Sequence, residues 1–178
     1  SDSIKLNVLF QKYSPDAVVH FGAASIVSES IFDPYKYYLN NVVGTLNLLE
    51  AMVKNQCNKM IFSSSASVYG NPEYIPIDEN HPKKPINPYG KSKLMVEQIL
   101  ADFDKAYGLK YFVFRYFNAV GHDLDGELKE RHDPETHLLP LIIKAAEGKN
   151  KCVEIYGTDY ETEDGSCVRD FIHVSDLC

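Results

Sequence analysis

The chain has 178 residues and a formal net charge of −7, with 44% apolar and 24% charged residues. This length can bury a core, and this composition excludes disordered and fibrous classes. Lys and Arg cluster no further than in pairs, and no apolar run approaches the ~20 residues of a membrane span. We therefore expect a globular protein that binds neither nucleic acid nor a membrane.

The four cysteines are far apart in the sequence, at Cys57, Cys152, Cys167 and Cys178. No CxxC pair occurs, so the sequence predicts neither a zinc ribbon nor a redox pair. Scattered thiols in an acidic chain are typical of a reducing compartment. We therefore predict a cytoplasmic location.

Apolar spacing predicts helices and strands that alternate along the chain. The predicted helices cover 1–13, 34–56, 88–107 and 138–147, and the predicted strands cover 16–21, 59–63 and 111–115. This order implies right-handed crossovers and an α/β fold with a doubly wound parallel sheet. Ligands bind such sheets at the carboxyl ends of the strands.

The first predicted element is a helix without the strand that should precede it, and residues 170–178 read as a strand followed by a helix start. The ten glycines contain no GxGxxG motif, the turn that binds a pyrophosphate at a helix N-terminus. We therefore expect a truncated sheet and a fragment of a longer protein.

Tyr89 and Lys93 stand four residues apart in YGKSK, on one face of a predicted helix. An ammonium beside a phenol favours the phenolate, so we expect Lys93 to lower the pKa of Tyr89 and make it a general base. The motif is weak in isolation, since a surface Tyr packed over a Lys side chain has the same spacing.

Four serines follow the predicted strand 59–63 or end it, at Ser63, Ser64, Ser65 and Ser67. Packing would favour Val or Ile at the end of a buried strand, so a hydroxyl here could share a hydrogen bond with Tyr89. The alternative is a serine-rich turn that caps backbone groups.

Together these motifs resemble the extended short-chain dehydrogenases. The resemblance rests on HFGAAS at 20–25, NNVVGTLNLLEA at 40–51, FSSSASVYG at 62–70, PYGKSK at 88–93 and RYFNAVG at 115–121. The run at 155–177 is similar to the UDP-glucose 4-epimerase family. Dehydratases of the superfamily place an Asp-Glu pair after the active-site hydroxyl, whereas Ser65 is followed by Ala66 and Ser67.

The resemblance implies a Rossmann-like NAD-binding domain, of which residues 1–118 are part. Residues 119–178 would begin a smaller substrate-binding domain and supply a return strand to the sheet. It implies that Ser65, Tyr89 and Lys93 are catalytic. The implied NAD contacts are Phe21, Gly22, Ala23, Ala24, Ser25, Asn40, Ser63, Tyr89, Lys93 and Phe117. The implied UDP-sugar contacts are Ser65, Tyr89, Asn118, His137, Leu138, Glu154, Ile155, Tyr156 and Arg169.

The implied reaction interconverts UDP-glucose and UDP-galactose through a 4-keto sugar, with NAD as cofactor, in a homodimeric full-length enzyme. The 178 residues alone are expected to be inactive. The alternatives are a UDP-N-acetylhexosamine 4-epimerase, a non-catalytic sugar-nucleotide-binding module and, third, a dehydratase or decarboxylase. For Arg169, a salt bridge to Asp170 or the nearby acidic residues is the alternative role.

No metal site is predicted. His132 and His137 are five positions apart, a spacing that does not place them on one face of a helix. Pro134 also interrupts the segment. The acidic run at 159–165 lacks the glycine position and the closing Glu of an EF-hand loop. A solvated loop is the expected structure there.

Overall fold

A computed structural model describes residues 2–128, 132 and 134–178 of the chain. They form two compact units, Ser1–Tyr116 and Phe117–Cys178. The helices are α1 (Ser3–Tyr13), α2 (Val27–Phe32), α3 (Pro34–Tyr37), α4 (Gly44–Lys54), α5 (Pro88–Tyr107), α6 (Leu138–Ala146) and α7 (Val174–Leu177). The strands are β1 (Val18–His20), β2 (Lys59–Ser63), β3 (Lys110–Phe114), β4 (Asn118–Val120) and β5 (Phe171–His173).

The first unit contains a parallel sheet in the order β1–β2–β3. Ile61 in the central strand pairs with Val19 on one side and with Phe112 on the other. Helices α4 and α5 connect successive strands, as parallel pairing requires. The predicted α/β fold with a parallel sheet is therefore confirmed.

The core of this unit lies between the sheet and its helices. Its buried apolar side chains include Phe10, Leu49, Met52, Phe62, Val96, Leu100 and Leu109. Each such side chain contributes about 1.5–3 kcal/mol when it is fully buried. This packing fixes α5 against the strands.

Helix α5 has the boundaries that the sequence predicted, because both ends carry strong capping signals. The side chain of Asn87 accepts a 2.8 Å hydrogen bond from the Gly90 N–H, and Pro88 occupies the first helical position. At the other end Gly108 adopts a left-handed conformation with φ of 71°.

The helix predicted over 34–56 is interrupted. A π-helical segment, Tyr38–Val43, lies between α3 and α4. Such segments insert an extra residue into a helical turn and are frequent at functional sites. Here the segment carries Asn41, whose side chain points inward and is 2% exposed.

The first helix begins at Ser3, whereas the prediction began it at residue 1. Its cap is Asp2, whose carboxylate accepts hydrogen bonds of 3.1 Å from the N–H groups of Ile4 and Lys5. A carboxylate suits this position because it also complements the helix dipole.

In the second unit β4 pairs in parallel with β5, with Asn118 opposite Phe171. Helix α6 ends at Ala146, one residue before the predicted end, and Gly148 follows with φ of 73°. In the described part of the chain, no helix combines the length and the apolar character that crossing a membrane would require.

Candidate active site

Tyr89 lies in the first turn of α5, near the carboxyl end of β2. Its phenol forms a hydrogen bond with the hydroxyl of Ser65. The close approach depends on Gly90, because a Cβ there would lie 2.5 Å from the carbonyl oxygen of Ser67. The glycine of PYG therefore lets α5 pack directly onto the serine-rich turn.

The serines at the end of β2 have different partners. Ser65 caps a short 3-10 helix, Ala66–Val68, by accepting a 3.1 Å hydrogen bond from the Ser67 N–H. Ser63 forms a hydrogen bond with the Tyr116 hydroxyl. Capping of backbone groups, the alternative considered above, therefore holds for Ser65, which also reaches Tyr89.

Lys93 is one helical turn beyond Tyr89 and is 3% exposed. Its ammonium donates a 2.7 Å hydrogen bond to the carbonyl oxygen of Ser63 and lies 5.7 Å from the centre of the Tyr89 ring. Four residues thus lie close together in the first unit: Ser63, Ser65, Tyr89 and Lys93.

The pKa of Tyr89 is raised above its ordinary value. Burial is the largest cause, and the hydrogen bond from Ser65 opposes it. The net direction is the opposite of the one predicted from the YxxxK spacing. The spacing is correct, but the effect of burial on the phenolate exceeds any effect of the neighbouring ammonium.

Burial also lowers the pKa of Lys93, to about 8. Close to Lys93 lies His20, whose pKa is lowered to about 4 by burial and by the charge of Lys93. His20 Nε2 is 2.9 Å from the hydroxyl oxygen of Thr45, which itself donates to the Asn41 carbonyl oxygen. Since Thr45 has one proton to donate, His20 is the donor through Nε2–H. Its pKa of about 4 makes it neutral at neutral pH.

The loop after β1, residues 21–25, is held by Asn41. The Asn41 side chain accepts a 2.8 Å hydrogen bond from the Ala24 N–H and donates to the Ala24 carbonyl oxygen at 3.0 Å. It also donates to the hydroxyl of Ser92, at 3.0 Å. One buried amide therefore connects the loop to α5.

A buried ion pair supports the other side of the serine-rich turn. Arg115 donates to both carboxylate oxygens of Glu97, at 2.9 and 2.8 Å. Glu97 in turn accepts a 2.6 Å hydrogen bond from the Ser64 hydroxyl. This pair fixes the residue immediately before Ser65.

The first unit also contains all the residues implied as cofactor contacts except Phe117. Phe21, Gly22 and Ser25 are exposed in the loop after β1, and Asn40 is exposed beside it. Lys93 has one hydrogen-bond acceptor among the described residues, the Ser63 carbonyl oxygen. Its two other N–H groups are suited to the hydroxyl pair of a ribose, so the residues present fit a dinucleotide such as NAD.

The remaining predicted residues lie in the second unit, most of them exposed. Asn118 donates a 2.7 Å hydrogen bond to the Asp170 carbonyl oxygen. The Tyr156 hydroxyl donates to Glu154 at 2.7 Å. The other members are Phe117, His137, Leu138, Ile155 and Arg169.

The described contact of Arg169 is a 2.8 Å hydrogen bond from its guanidinium to the Val168 carbonyl oxygen. An ion pair with Asp170 or the acidic run is not seen among the residues that the structure describes. An exposed guanidinium of this kind remains available to an anionic ligand.

Sequence analysis did not single out His20, Asn41, Glu97 or Arg115. The available signal for His20 was its position at the end of a buried strand. For Asn41 it was the pair of adjacent Asn residues, because Asn weakens a helix. Glu97 stands eight residues after Tyr89 on the same helix, so its inward position could have been inferred from helical periodicity.

The fold and these side chains define a class. A parallel α/β sheet with a serine hydroxyl, a tyrosine phenol and a lysine ammonium at the end of a strand is typical of proteins that use a dinucleotide cofactor for oxidation and reduction. The comparison with known proteins identifies the family within this class. The chain belongs to the NAD dependent epimerase/dehydratase family, whose sequence model matches residues 1–178.

Three relatives illustrate the match. The chain is 48% identical over 176 residues to a UDP-glucose 4-epimerase of Halalkalibacterium halodurans, covering 99% of this chain and 53% of that one. A solved UDP-glucose 4-epimerase from Brucella ovis in complex with NAD is 53% identical, with a TM-score of 0.94, over 99% of this chain and 54% of that one. A third, from Bifidobacterium longum in complex with NAD+ and UDP, is 43% identical, with a TM-score of 0.90, over 99% and 53%.

The fold is therefore Rossmann-like, as predicted. The chain spans about half the length of the curated relatives it matches.

Proposed function

We propose that these residues belong to a UDP-glucose 4-epimerase, which interconverts UDP-glucose and UDP-galactose with NAD as cofactor. The observation that carries the proposal is the contact between Ser65 and Tyr89, with the Lys93 ammonium one turn away. Relatives that cover the whole chain at 43–53% identity bear the same activity in their names, and two of them hold NAD.

In this proposal Tyr89 and Ser65 form the acid–base pair that transfers the proton of the sugar 4-hydroxyl. The Tyr89 oxygen accepts this proton as the C4–H bond breaks and a C4 carbonyl forms. In the second half-reaction the phenol returns the proton to the oxygen when hydride adds to the other face of C4. Net redox change is zero, so one pair of groups serves both half-reactions.

When bound, NAD would supply the hydride acceptor and donor, and the positive charge of its oxidised nicotinamide ring would favour the phenolate of Tyr89. This charge opposes the effect of burial, which raises the pKa of Tyr89. Lys93 orients the ribose and keeps a cation beside the phenol. The proposed NAD contacts of the first unit are Phe21, Gly22, Ala23, Ala24, Ser25, Asn40 and Ser63, and Phe117 is the proposed contact from the second unit.

Residues of the second unit are proposed to bind the UDP part of the substrate. The guanidinium of Arg169 suits a diphosphate, and the side chains of Asn118 and His137 can hydrogen-bond to a sugar or base. Leu138, Glu154, Ile155 and Tyr156 are proposed to surround the nucleotide. The proposal extends to a homodimeric enzyme. It also extends to a cytoplasmic location, which agrees with the acidic charge and scattered thiols.

The test uses the full-length protein that contains these residues, purified with bound NAD. We expect conversion of UDP-galactose to UDP-glucose and a much slower reaction with UDP-N-acetylgalactosamine. Faster turnover of the acetylated sugar would favour the N-acetylhexosamine epimerase. Tight binding of UDP-sugars without conversion would support the non-catalytic binding module and contradict the proposal. A 4-keto-6-deoxy product would indicate a dehydratase.

A further inference from the structure

We propose that His132, Glu135 and His137 form a binding site for a divalent transition-metal ion in the segment before α6. Each residue offers one ligand atom, and the three atoms lie within 4.8 Å of one another. Two imidazoles and one carboxylate are a ligand set that Zn²⁺, Co²⁺ and Ni²⁺ favour, whereas Mg²⁺ and Ca²⁺ prefer oxygen alone.

The distances between these atoms are close to those around a bound ion. His137 Nδ1 is 3.3 Å from one carboxylate oxygen of Glu135, and His132 Nδ1 is 3.9 Å from the other. Ligands about 2.1 Å from a tetrahedral zinc are about 3.4 Å from each other. The His137–Glu135 pair already has this spacing. The two imidazoles face different oxygens of Glu135, so the three ligand atoms, which now lie within 4.8 Å, must close by about 1 Å to hold one ion.

The sequence argued against a metal because histidines five positions apart do not share a helix face. All three residues precede α6, which begins at Leu138 as predicted, so helical spacing does not decide whether they meet. Asp133, which stands between the histidines, lies outside the described residues. An irregular segment can turn His132 back toward His137, and the two rings meet edge to face with centroids 4.6 Å apart.

Glu135 is prepared as an anionic ligand. Its side chain is 7% exposed, and one of its oxygens accepts hydrogen bonds of 2.9 Å from the N–H groups of Thr136 and His137. Hydrogen bonds of this kind orient a ligating carboxylate and strengthen metal sites.

Three protein ligands leave at least one coordination position for water or an anionic ligand. The ion would link His132 to the residue that precedes α6 and so fix the start of that helix. This inference stands on the second unit alone and does not depend on the proposed function.

The experiment titrates Zn²⁺ into the chain by calorimetry and follows Co²⁺ by its visible absorption. Three exposed thiols could bind the same ions, so Cys152, Cys167 and Cys178 are first replaced by Ser and any affinity tag is removed. We expect one ion per chain with micromolar affinity, a Co²⁺ spectrum without thiolate bands, and no comparable binding of Mg²⁺.

His132→Ala, His137→Ala and Glu135→Gln should each weaken Zn²⁺ binding at least about tenfold. His122→Ala removes another exposed histidine of the same unit and should leave the affinity unchanged. Circular dichroism of each variant confirms that its fold is retained. Absence of one-to-one binding would overturn the proposal. So would Zn²⁺ binding by His132→Ala and His137→Ala that is as tight as binding by the unsubstituted histidines.

Discussion

The ammonium of Lys93 donates a 2.7 Å hydrogen bond to the backbone carbonyl oxygen of Ser63. This contact fastens α5 to the last residue of β2, two residues before Ser65. Because Tyr89 lies one turn earlier on α5, the same bond sets its phenol opposite the Ser65 hydroxyl. This bond therefore acts together with the close approach at Gly90 to set the position of the hydroxyl pair.

Replacing Tyr89 with Phe in the full-length protein should reduce the rate of epimerisation at least about 100-fold. The variant loses the proposed acid–base group while it keeps the aromatic ring against α3. Steady-state assays with UDP-galactose measure the loss, and NAD content checks the cofactor site. Tyr35→Phe, which alters a largely exposed phenol in the same unit, serves as control. A loss of only a few fold in Tyr89→Phe would contradict the catalytic assignment.

The buried Lys93 should make stability depend on pH in the alkaline range. Its pKa is about 8 in the folded chain, below the ordinary 10.5, so between these values the unfolded state binds more protons. The free energy of unfolding therefore gains from this group as pH rises from about 8 to about 10.5, by about 3 kcal/mol.

The test compares urea unfolding of the wild type, Lys93→Met and Lys91→Met across this range. Lys91 is exposed on the same helix, so its variant should follow the wild type. The alkaline gain attributed to Lys93 should disappear in Lys93→Met alone, and an identical pH profile for all three proteins would refute the burial argument.

The parts of the fold that the sequence predicted well have local causes. Strand β2 is a short apolar run, and α5 carries its own cap residues, Asn87 and Gly108, so both were assigned with correct boundaries. The π-helical segment could not be assigned, because apolar spacing through 34–56 is compatible with an ordinary helix. The inward position of Asn41 depends on Ala24 and Ser92, which are distant in sequence.

The candidate site was predictable to the same degree. The spacing of Tyr89 and Lys93 and the serines after β2 correctly indicated which side chains meet. The sign of the Tyr89 pKa shift was not predictable, since it depends on how deeply tertiary packing buries the phenol. The same limit applies to His20, whose environment is created by Thr45 and Lys93 together.

His20 should remain neutral down to acid pH. Burial, followed by the charge of Lys93, lowers its pKa to about 4, and its bond to Thr45 requires the Nε2–H tautomer. Because the unfolded state takes up a proton at higher pH, stability from this group is full above about pH 6.5 and is lost as pH falls toward about 4. Nitrogen-15 NMR of the imidazole should report that tautomer and a pKa near 4. In Lys93→Met the pKa of His20 should rise, and a value near 6.5 in the wild type would contradict the structure.

The pair of Glu97 and Arg115 should be costly to break on one side. Both side chains are largely buried, with exposures of 7% and 17%, and the pair is bidentate. Arg115→Met leaves the Glu97 carboxylate with the Ser64 hydroxyl but without its cation, which should cost about 3–5 kcal/mol in the free energy of unfolding.

The double variant Glu97→Met/Arg115→Met should be more stable than the sum of its single variants predicts, because no charge remains buried alone. An exposed pair on the same unit, Glu50 and Lys54, provides the matched cycle, and its coupling should stay below about 1 kcal/mol. Urea unfolding of the wild type, the four single variants and the two double variants gives both coupling energies. Equal coupling in the two cycles would mean that Glu97 and Arg115 are as well solvated as the surface pair, and the support attributed to them beneath Ser64 would then be absent.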